Sequence, residues 1–122
     1  MELIEEELSY KIRGAVFQVS RHLGAGFLEK VYERALMIEL ESAGLNYETQ
    51  KSINVNYKGR VVGEYFADIL IENKIILEIK AQRSIRPEHE AQLINYLKAT
   101  KLKLGFLINF THPKAEIKRF VI

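Results

Sequence analysis

The chain contains no cysteine among its 122 residues, so it cannot form a disulfide or a thiolate metal site. A reducing compartment is compatible with that composition. No apolar run approaches the roughly 20 residues that a membrane span requires, so we expect no membrane association. Four of the first seven residues are glutamates, whereas a secretory signal begins with basic residues. We therefore expect a cytoplasmic protein.

Proline is also scarce, and both prolines, Pro87 and Pro113, fall at expected element boundaries. The chain has no internal repeat, no low-complexity tract and no linker. Its hydrophobic fraction of 48% and charged fraction of 28% are typical of a globular protein. A length of 122 residues is enough for one hydrophobic core, so we expect residues 1–122 to form a single domain.

A large charge excess is absent, since the net charge is only +2, but the charge is unevenly distributed. Residues 1–73 carry 8 basic and 12 acidic groups, whereas residues 74–122 carry 10 basic and 4 acidic groups. The basic C-terminal third is either a phosphate-facing surface or an ordinary solvated lysine-rich face. Alternatively, the acidic N-terminal helix pairs with the basic surface of a second copy, which would make a homodimer.

Apolar spacing predicts three helices. The first covers residues 3–20 and buries Ile12, Val16 and Val19. The second runs from about Phe27 to Ala43, and its apolar stripe consists of Leu28, Val31, Ala35 and Ile38. The third begins at Pro87 and continues to about Thr100.

The remaining segments predict five strands. They cover Ile53–Tyr57, Val61–Ile71, Ile75–Ala81, Leu104–Phe110 and Ile117–Ile122. The order is helix, helix, three strands, helix and two strands. This order indicates an α/β or α+β fold in which one central mixed β-sheet is flanked by helices.

The turn between the second and third strands sets their register. If it centres on Asn73, Ile69 faces Leu77 and Asp68 lies directly opposite Glu78. An odd-length loop is required, because a shift of the register moves Asp68 to the opposite face. The same register predicts a continuous apolar face, made of Ile71, Ile75, Ile69, Leu77, Ala67, Ile79, Tyr65 and Ala81, with Leu70 and Ile76 on the other face.

Asp68, Glu78 and Lys80 interrupt two otherwise apolar strands. Opposed carboxylates repel each other, and a divalent cation between them reverses that repulsion. Hard oxygen ligands suit Mg²⁺ or Mn²⁺, and Lys80 would orient a water molecule and stabilise charge on a phosphate. The other interpretation is a salt bridge on an exposed sheet face, which is common for residues in this pattern.

Further motifs carry a family resemblance. Gly26, Glu29 and Tyr32, each separated by two residues, resemble the signature of the bacterial and archaeal GxxExxY proteins. These proteins are small members of the PD-(D/E)XK nuclease superfamily. The resemblance covers nearly the whole chain, through segments 22–26, 63–68, 78–80 and 90–97. It implies a restriction-endonuclease-like core.

The resemblance also implies roles for individual residues. Asp68, Glu78 and Lys80 match the metal-binding and catalytic core, and Glu29 matches the acidic residue that the first core helix sends toward the site. Gln92 and Tyr96 resemble the Gln-x-x-x-Tyr element of RecB-like nucleases. Ala67 stands where the superfamily pattern has proline, a position without a chemical role.

These observations lead us to expect a metal-dependent nuclease that cleaves phosphodiester bonds of DNA, or alternatively of RNA. Asp68, Glu78 and the Ile79 carbonyl would hold Mg²⁺ or Mn²⁺, and Lys80 would activate water. Glu29 would support the metal, and Gln92 and Tyr96 would orient Lys80 or the substrate. The alternative is a module of the same fold that binds nucleic acid or protein with little or no cleavage.

Overall fold

The computed structural model describes residues 5–122, which form three helices and five strands. Residues 3 and 4 of the predicted first helix lie outside this range. The elements are α1 (Glu6–Leu23), α2 (Glu29–Ser42), β1 (Tyr47–Tyr57), β2 (Arg60–Ile71), β3 (Ile75–Lys80), α3 (Pro87–Thr100), β4 (Leu104–Asn109) and β5 (Glu116–Val121). Both the order and the number of elements agree with the prediction.

The strands form one mixed sheet in the order β1-β2-β3-β4-β5. Only β3 and β4 are parallel, and α3 is the crossover connection between them. The other three neighbouring pairs are antiparallel. The predicted α+β class with a mixed sheet flanked by helices is confirmed.

The two faces of the sheet are covered by different helices. Helices α1 and α2 pack on one face, where Ile12, Leu36 and Leu40 contact alternate residues of β2, β3 and β4. Helix α3 packs on the opposite face through Leu93 and Leu97. Within residues 5–122, no helix is long and apolar enough to cross a membrane.

The buried stripe of α2 differs from the predicted one. Leu28 and Ile38 are largely exposed, while Tyr32, Glu33, Leu36 and Leu40 are buried. Both stripes of this helix are rich in apolar residues, so packing against the sheet decides which one is buried. The prediction therefore selected the wrong face of α2.

The hairpin between β2 and β3 has the predicted register. Ile69 pairs with Leu77 and Ile71 pairs with Ile75, around a three-residue loop centred on Asn73. Asn73 has φ 55°, a left-handed conformation that asparagine adopts more readily than most residues. The Lys74 N–H donates to the Ile71 carbonyl at 2.9 Å and closes the loop.

The predicted apolar face of this hairpin is wrong at its far end. Ala67 packs on the α3 side with Ile53 and Leu70, instead of joining Ile69 on the α1–α2 side. Tyr65 remains 49% exposed and its ring contacts Tyr96 of α3. The regular β2–β3 pairing stops at Ile69 and Leu77. Beyond that pair, counting alternate residues from the turn no longer predicts which face of the sheet a side chain occupies.

Helix α3 approaches the sheet closely at Gly105 of β4. A Cβ atom at this position would lie 2.9 Å from Leu93 Cδ1 and 3.3 Å from the Ile76 carbonyl oxygen. Glycine therefore lets α3 pack directly against β3 and β4. This packing brings residues of α3 next to the hairpin.

Candidate active site

The side chains of Asp68 and Glu78 each accept a hydrogen bond from a backbone N–H of the facing strand, across the gap between β2 and β3. Asp68 Oδ2 accepts from the Ile79 N–H at 2.7 Å, and Glu78 Oε2 accepts from the Asp68 N–H at 2.8 Å. The carboxylates therefore take the place of the backbone carbonyls of a regular ladder. The sequence prediction that these two side chains meet across the hairpin is confirmed by this geometry.

Burial raises the pKa of both carboxyl groups. Burial is the main cause for Glu78, followed by the charge of Asp68, and together they raise the pKa of Glu78 to about 8. Burial also raises the pKa of Asp68, against the hydrogen bond from the Ile79 N–H. A bound cation would favour the ionised forms, which burial disfavours.

Lys80 lies close enough to this pair for its ammonium charge to lower both pKa values in part. The loop that follows is anchored by the buried side chain of Asn109. Asn109 Oδ1 accepts from the Gln82 N–H at 2.9 Å, and Asn109 Nδ2 donates to the Gln82 carbonyl at 2.8 Å. Asn109 therefore fixes the chain just after Lys80, a role that the sequence did not indicate.

A third acidic residue, Glu33, reaches the site from α2. This side chain is buried, and its carboxylate accepts hydrogen bonds from Gln50 Nε2 at 3.3 and 3.5 Å. Gln50 in turn hydrogen bonds to Asp68, and the charge of Glu33 raises the pKa of both Asp68 and Glu78. Glu33 and Gln50 were both missed as site residues.

Gln50 has an unusual backbone conformation. Its φ is 50° in the middle of β1, and the regular pairing with β2 skips the Gln50–Asp68 position. A non-glycine residue at positive φ inside a strand is strained, and such strain is found where surrounding contacts impose it. Here the contacts are those that join Gln50 to Glu33 and Asp68.

Helix α3 contributes Gln92 and Tyr96 from the other side of the sheet. Burial and the charges of Glu78, Asp68 and Tyr65 raise the pKa of Tyr96 to about 12, while a hydrogen bond from Gln92 opposes that shift. Gln92 and Tyr96 are therefore hydrogen-bonded to each other, and Tyr96 lies close enough to Asp68 and Glu78 for their charges to change its pKa. Tyr96 remains protonated at neutral pH and can donate a hydrogen bond.

The family model of the PD-(D/E)XK nuclease superfamily matches residues 6–120. The chain belongs to this superfamily. Divalent metals are the usual cofactors of PD-(D/E)XK nucleases. Among curated proteins, no relative matches the chain.

Two solved structures share the fold. The structure titled SSO0001 is 24% identical, with a TM-score of 0.57 over 95% of this chain. The present chain spans 58% of the length of that protein. An alkaline exonuclease from Laribacter hongkongensis is 11% identical, with a TM-score of 0.56 over 99% of this chain and 72% of its own.

The carboxylate oxygens of Asp68 and Glu78 are donors of the kind that a divalent cation prefers. Each carboxylate uses one oxygen for the cross-strand hydrogen bonds, and Glu78 Oε1 accepts none from residues 5–122. The Lys80 carbonyl faces β4, where it accepts from the Phe110 N–H, so the Ile79 carbonyl faces the opposite side, toward β2. Between residues 5 and 122, no cluster of three or more His, Asp or Glu side chains could hold a metal.

The structure does not bring Glu29 to the carboxylate pair. Glu29 is the first residue of α2 and is exposed, one helical turn before Glu33. Tyr32 is fully buried, its hydroxyl donates to the Gly24 carbonyl at 2.6 Å, and its ring stacks on Phe110. Tyr32 therefore holds the turn before α2 against the core, as a packing residue.

Proposed function

We propose that this PD-(D/E)XK protein is a metal-dependent nuclease that hydrolyses phosphodiester bonds of DNA, with RNA as the alternative substrate. The observation that carries the proposal is the pair of interlocked carboxylates, Asp68 and Glu78, beside Lys80. Burial makes this pair unfavourable when both groups are ionised, and a divalent cation with hard oxygen ligands removes that cost.

In the proposed site, Asp68, Glu78 and the Ile79 carbonyl would hold Mg²⁺ or Mn²⁺. Such an ion, when bound, lowers the pKa of a coordinated water and offsets charge on the phosphate. Lys80 orients the attacking water and stabilises charge that develops on the phosphate. Tyr96 and Gln92 donate hydrogen bonds that position Lys80 or the substrate.

The role first given to Glu29 is better suited to Glu33. Glu33 is buried and is linked to Asp68 through Gln50, so it can hold Asp68 in the orientation that a metal ion would require. Such residues behind metal ligands commonly tune affinity and activity. We assign Glu29 to the solvent-facing start of α2, where an acidic side chain favours the helix N-terminus.

The direct test is cleavage of a fluorescently labelled DNA oligonucleotide with Mg²⁺ or Mn²⁺ and with EDTA. We expect cleavage by the unmodified protein only with metal. Asp68→Asn and Lys80→Ala should each lower the rate by at least about 100-fold, because each removes a group that stabilises the transition state. Glu6→Gln and Lys103→Ala, at exposed positions, are the matched controls.

Wild-type rates in Asp68→Asn or Lys80→Ala would contradict the assignment. If the unmodified protein binds DNA in a salt-sensitive manner but does not cleave it with either metal, the alternative of a binding module is favoured instead. The same samples run by sedimentation at two salt concentrations test the homodimer that charge asymmetry suggested.

Two finer assignments remain part of this proposal. The spacing of Gly26, Glu29 and Tyr32 supports membership of the GxxExxY group within the superfamily. The hydrogen bonds of the Tyr32 hydroxyl to the turn before α2 give this residue a structural role in the motif. With no cysteine in the chain, the cytoplasm is the location that we propose.

A further inference from the structure

We infer that the groove between the β1–β2 hairpin and α3 binds a single strand of nucleic acid, with a base stacked on Tyr65. This inference rests on the proposed nuclease function and names the form of its substrate. The groove has a volume of about 910 Å³, within the usual range of ligand sites.

The groove adjoins the candidate site at Tyr96. Tyr96 lines the groove and lies close enough to Asp68 and Glu78 for their charges to raise its pKa, and Gln92, which also lines the groove, hydrogen bonds to Tyr96. Tyr65 lies in the opposite wall, on β2, three residues before Asp68, which is about 10 Å along an extended strand. A strand held in the groove would therefore lead its backbone toward Asp68 and Glu78.

The ring of Tyr65 offers a stacking surface. Its centroid lies 5.7 Å from that of Tyr96, at an interplanar angle of 46°, and half of the residue remains exposed. An aromatic ring that is fixed on one side and open on the other is the usual platform for an unpaired base. In a duplex the base faces are already stacked on one another and cannot use such a platform.

Polar and charged groups complete the groove. Asn54, Asn56 and Asn95 offer amides to base edges. Lys98 and Lys101 stand at the C-terminal end of α3 and match a phosphate backbone, while Glu88 lies at the opposite end of the helix. The lining thus combines an aromatic face, amides and ammonium groups, which is the chemistry that single strands require.

Binding should be measured by fluorescence anisotropy with the Asp68→Asn variant in EDTA, so that cleavage plays no part. The probes are a labelled oligothymidine and a blunt duplex of equal length. We expect the oligothymidine to bind at least about tenfold more tightly. Tyr65→Ala should weaken that binding about 5- to 100-fold, whereas Tyr65→Phe and the control Tyr10→Ala should retain it.

A tryptophan reporter separates stacking from charge attraction. The chain has no tryptophan, so Tyr65→Trp supplies a single emitting indole, and Tyr10→Trp on α1 is its control. Oligothymidine should quench the indole emission of the Tyr65→Trp variant, whereas inorganic polyphosphate should not, because it carries charge without bases. Equal quenching in both variants, or none in either, would overturn the stacking of a base on Tyr65.

The two lysines predict a change in salt dependence. Lys98→Gln with Lys101→Asn should reduce the slope of log affinity against log salt by about 1.4, since each phosphate contact to a single strand contributes about 0.7. Asparagine suits position 101 because Lys101 has φ 64°. Lys103→Gln with Lys114→Asn, outside the groove, should leave the slope unchanged; an equal change there would contradict the inference.

The two proposals fail in different ways. If the unmodified protein cleaves DNA with Mg²⁺ but duplex and single strand bind equally, or Tyr65→Ala binds like Tyr10→Ala, the groove inference fails and the nuclease stands. If single strands bind through Tyr65 but neither metal supports cleavage, the groove stands and the nuclease fails.

Discussion

The two ends of the β2–β3 hairpin have the same register and opposite properties. Near the turn, Ile69, Ile71 and Leu77 pair through regular backbone hydrogen bonds and are buried in the apolar core. One residue further from the turn, Asp68 and Glu78 enter the gap, and their carboxylates accept the hydrogen bonds of the facing strand. Apolar side chains hold together the end near the turn, which we call the closed end. At the other end, which we call the open end, the side chains of Asp68 and Glu78 separate the two strands.

This difference shows how one hairpin serves both stability and chemistry. A closed ladder has no space for a ligand, because its backbone groups satisfy each other. Where carboxylates replace carbonyls, the strands part, and the Ile79 carbonyl faces β2 without a ladder partner. The closed end supplies the rigid support that the open end requires.

The closed end should dominate stability. Leu77→Ala should lower the free energy of unfolding by about 2–5 kcal/mol, because Leu77 is fully buried between helices and sheet. Glu78→Gln, next to it, should change the value by no more than about 1 kcal/mol at pH 5, where the glutamine keeps the hydrogen-bonding shape. Urea unfolding measures both, and a larger loss in Glu78→Gln would contradict the comparison.

The open end should make stability depend on pH. The folded-state pKa of Glu78 is about 8, above the ordinary value of 4.5, so the folded protein binds more protons between these two values. Without divalent metal, the free energy of unfolding should therefore fall by a few kcal/mol as pH rises from about 4.5 to 8. Thermal unfolding across this range in EDTA measures the loss.

Glu78→Gln provides the control for that pH dependence, since it removes the group with the pKa of about 8 and should make the fall in stability smaller. At pH 8, Mg²⁺ or Mn²⁺ should restore the lost stability in the unmodified protein and have no effect on Asp68→Asn. Stability that rises between pH 4.5 and 8 in EDTA would contradict the buried carboxylate pair.

The smallest effect should distinguish two glutamates of α2. Glu33→Gln should lower metal affinity by about 10- to 100-fold, because Glu33 supports Asp68 through Gln50. Glu29→Gln, one turn earlier and exposed, should bind metal like the unmodified protein. Calorimetric titration with Mn²⁺ measures both, and a reversed order would return the role to Glu29.

Local sequence was sufficient for the features that depend on neighbours in the chain. Pro87 and Thr100 bound α3 as predicted, because proline favours the first turn of a helix. The three-residue loop around Asn73 set the pairing of Ile69 with Leu77, since a loop of known length leaves one register for alternating apolar residues.

Features that depend on packing between distant segments could not be predicted from local sequence. Both stripes of α2 are apolar, so its own spacing could not show that Leu36 and Leu40 are buried and Ile38 is exposed. Glu33 precedes Leu36 by three residues and Leu40 by seven, which is the signal that could have identified it. Gln50 offered no signal, because its contacts come from α2 and β2.

The order of elements, the register of the hairpin and the meeting of Asp68 with Glu78 could be predicted from the chain alone, because they follow from spacing and turn length. Packing between distant segments selected the buried face of α2, placed Glu33 and Gln50 behind Asp68, and set Tyr65 opposite Tyr96 across a groove. Those choices depend on how helices pack on the sheet, and burial free energy acts between segments that are remote in the chain.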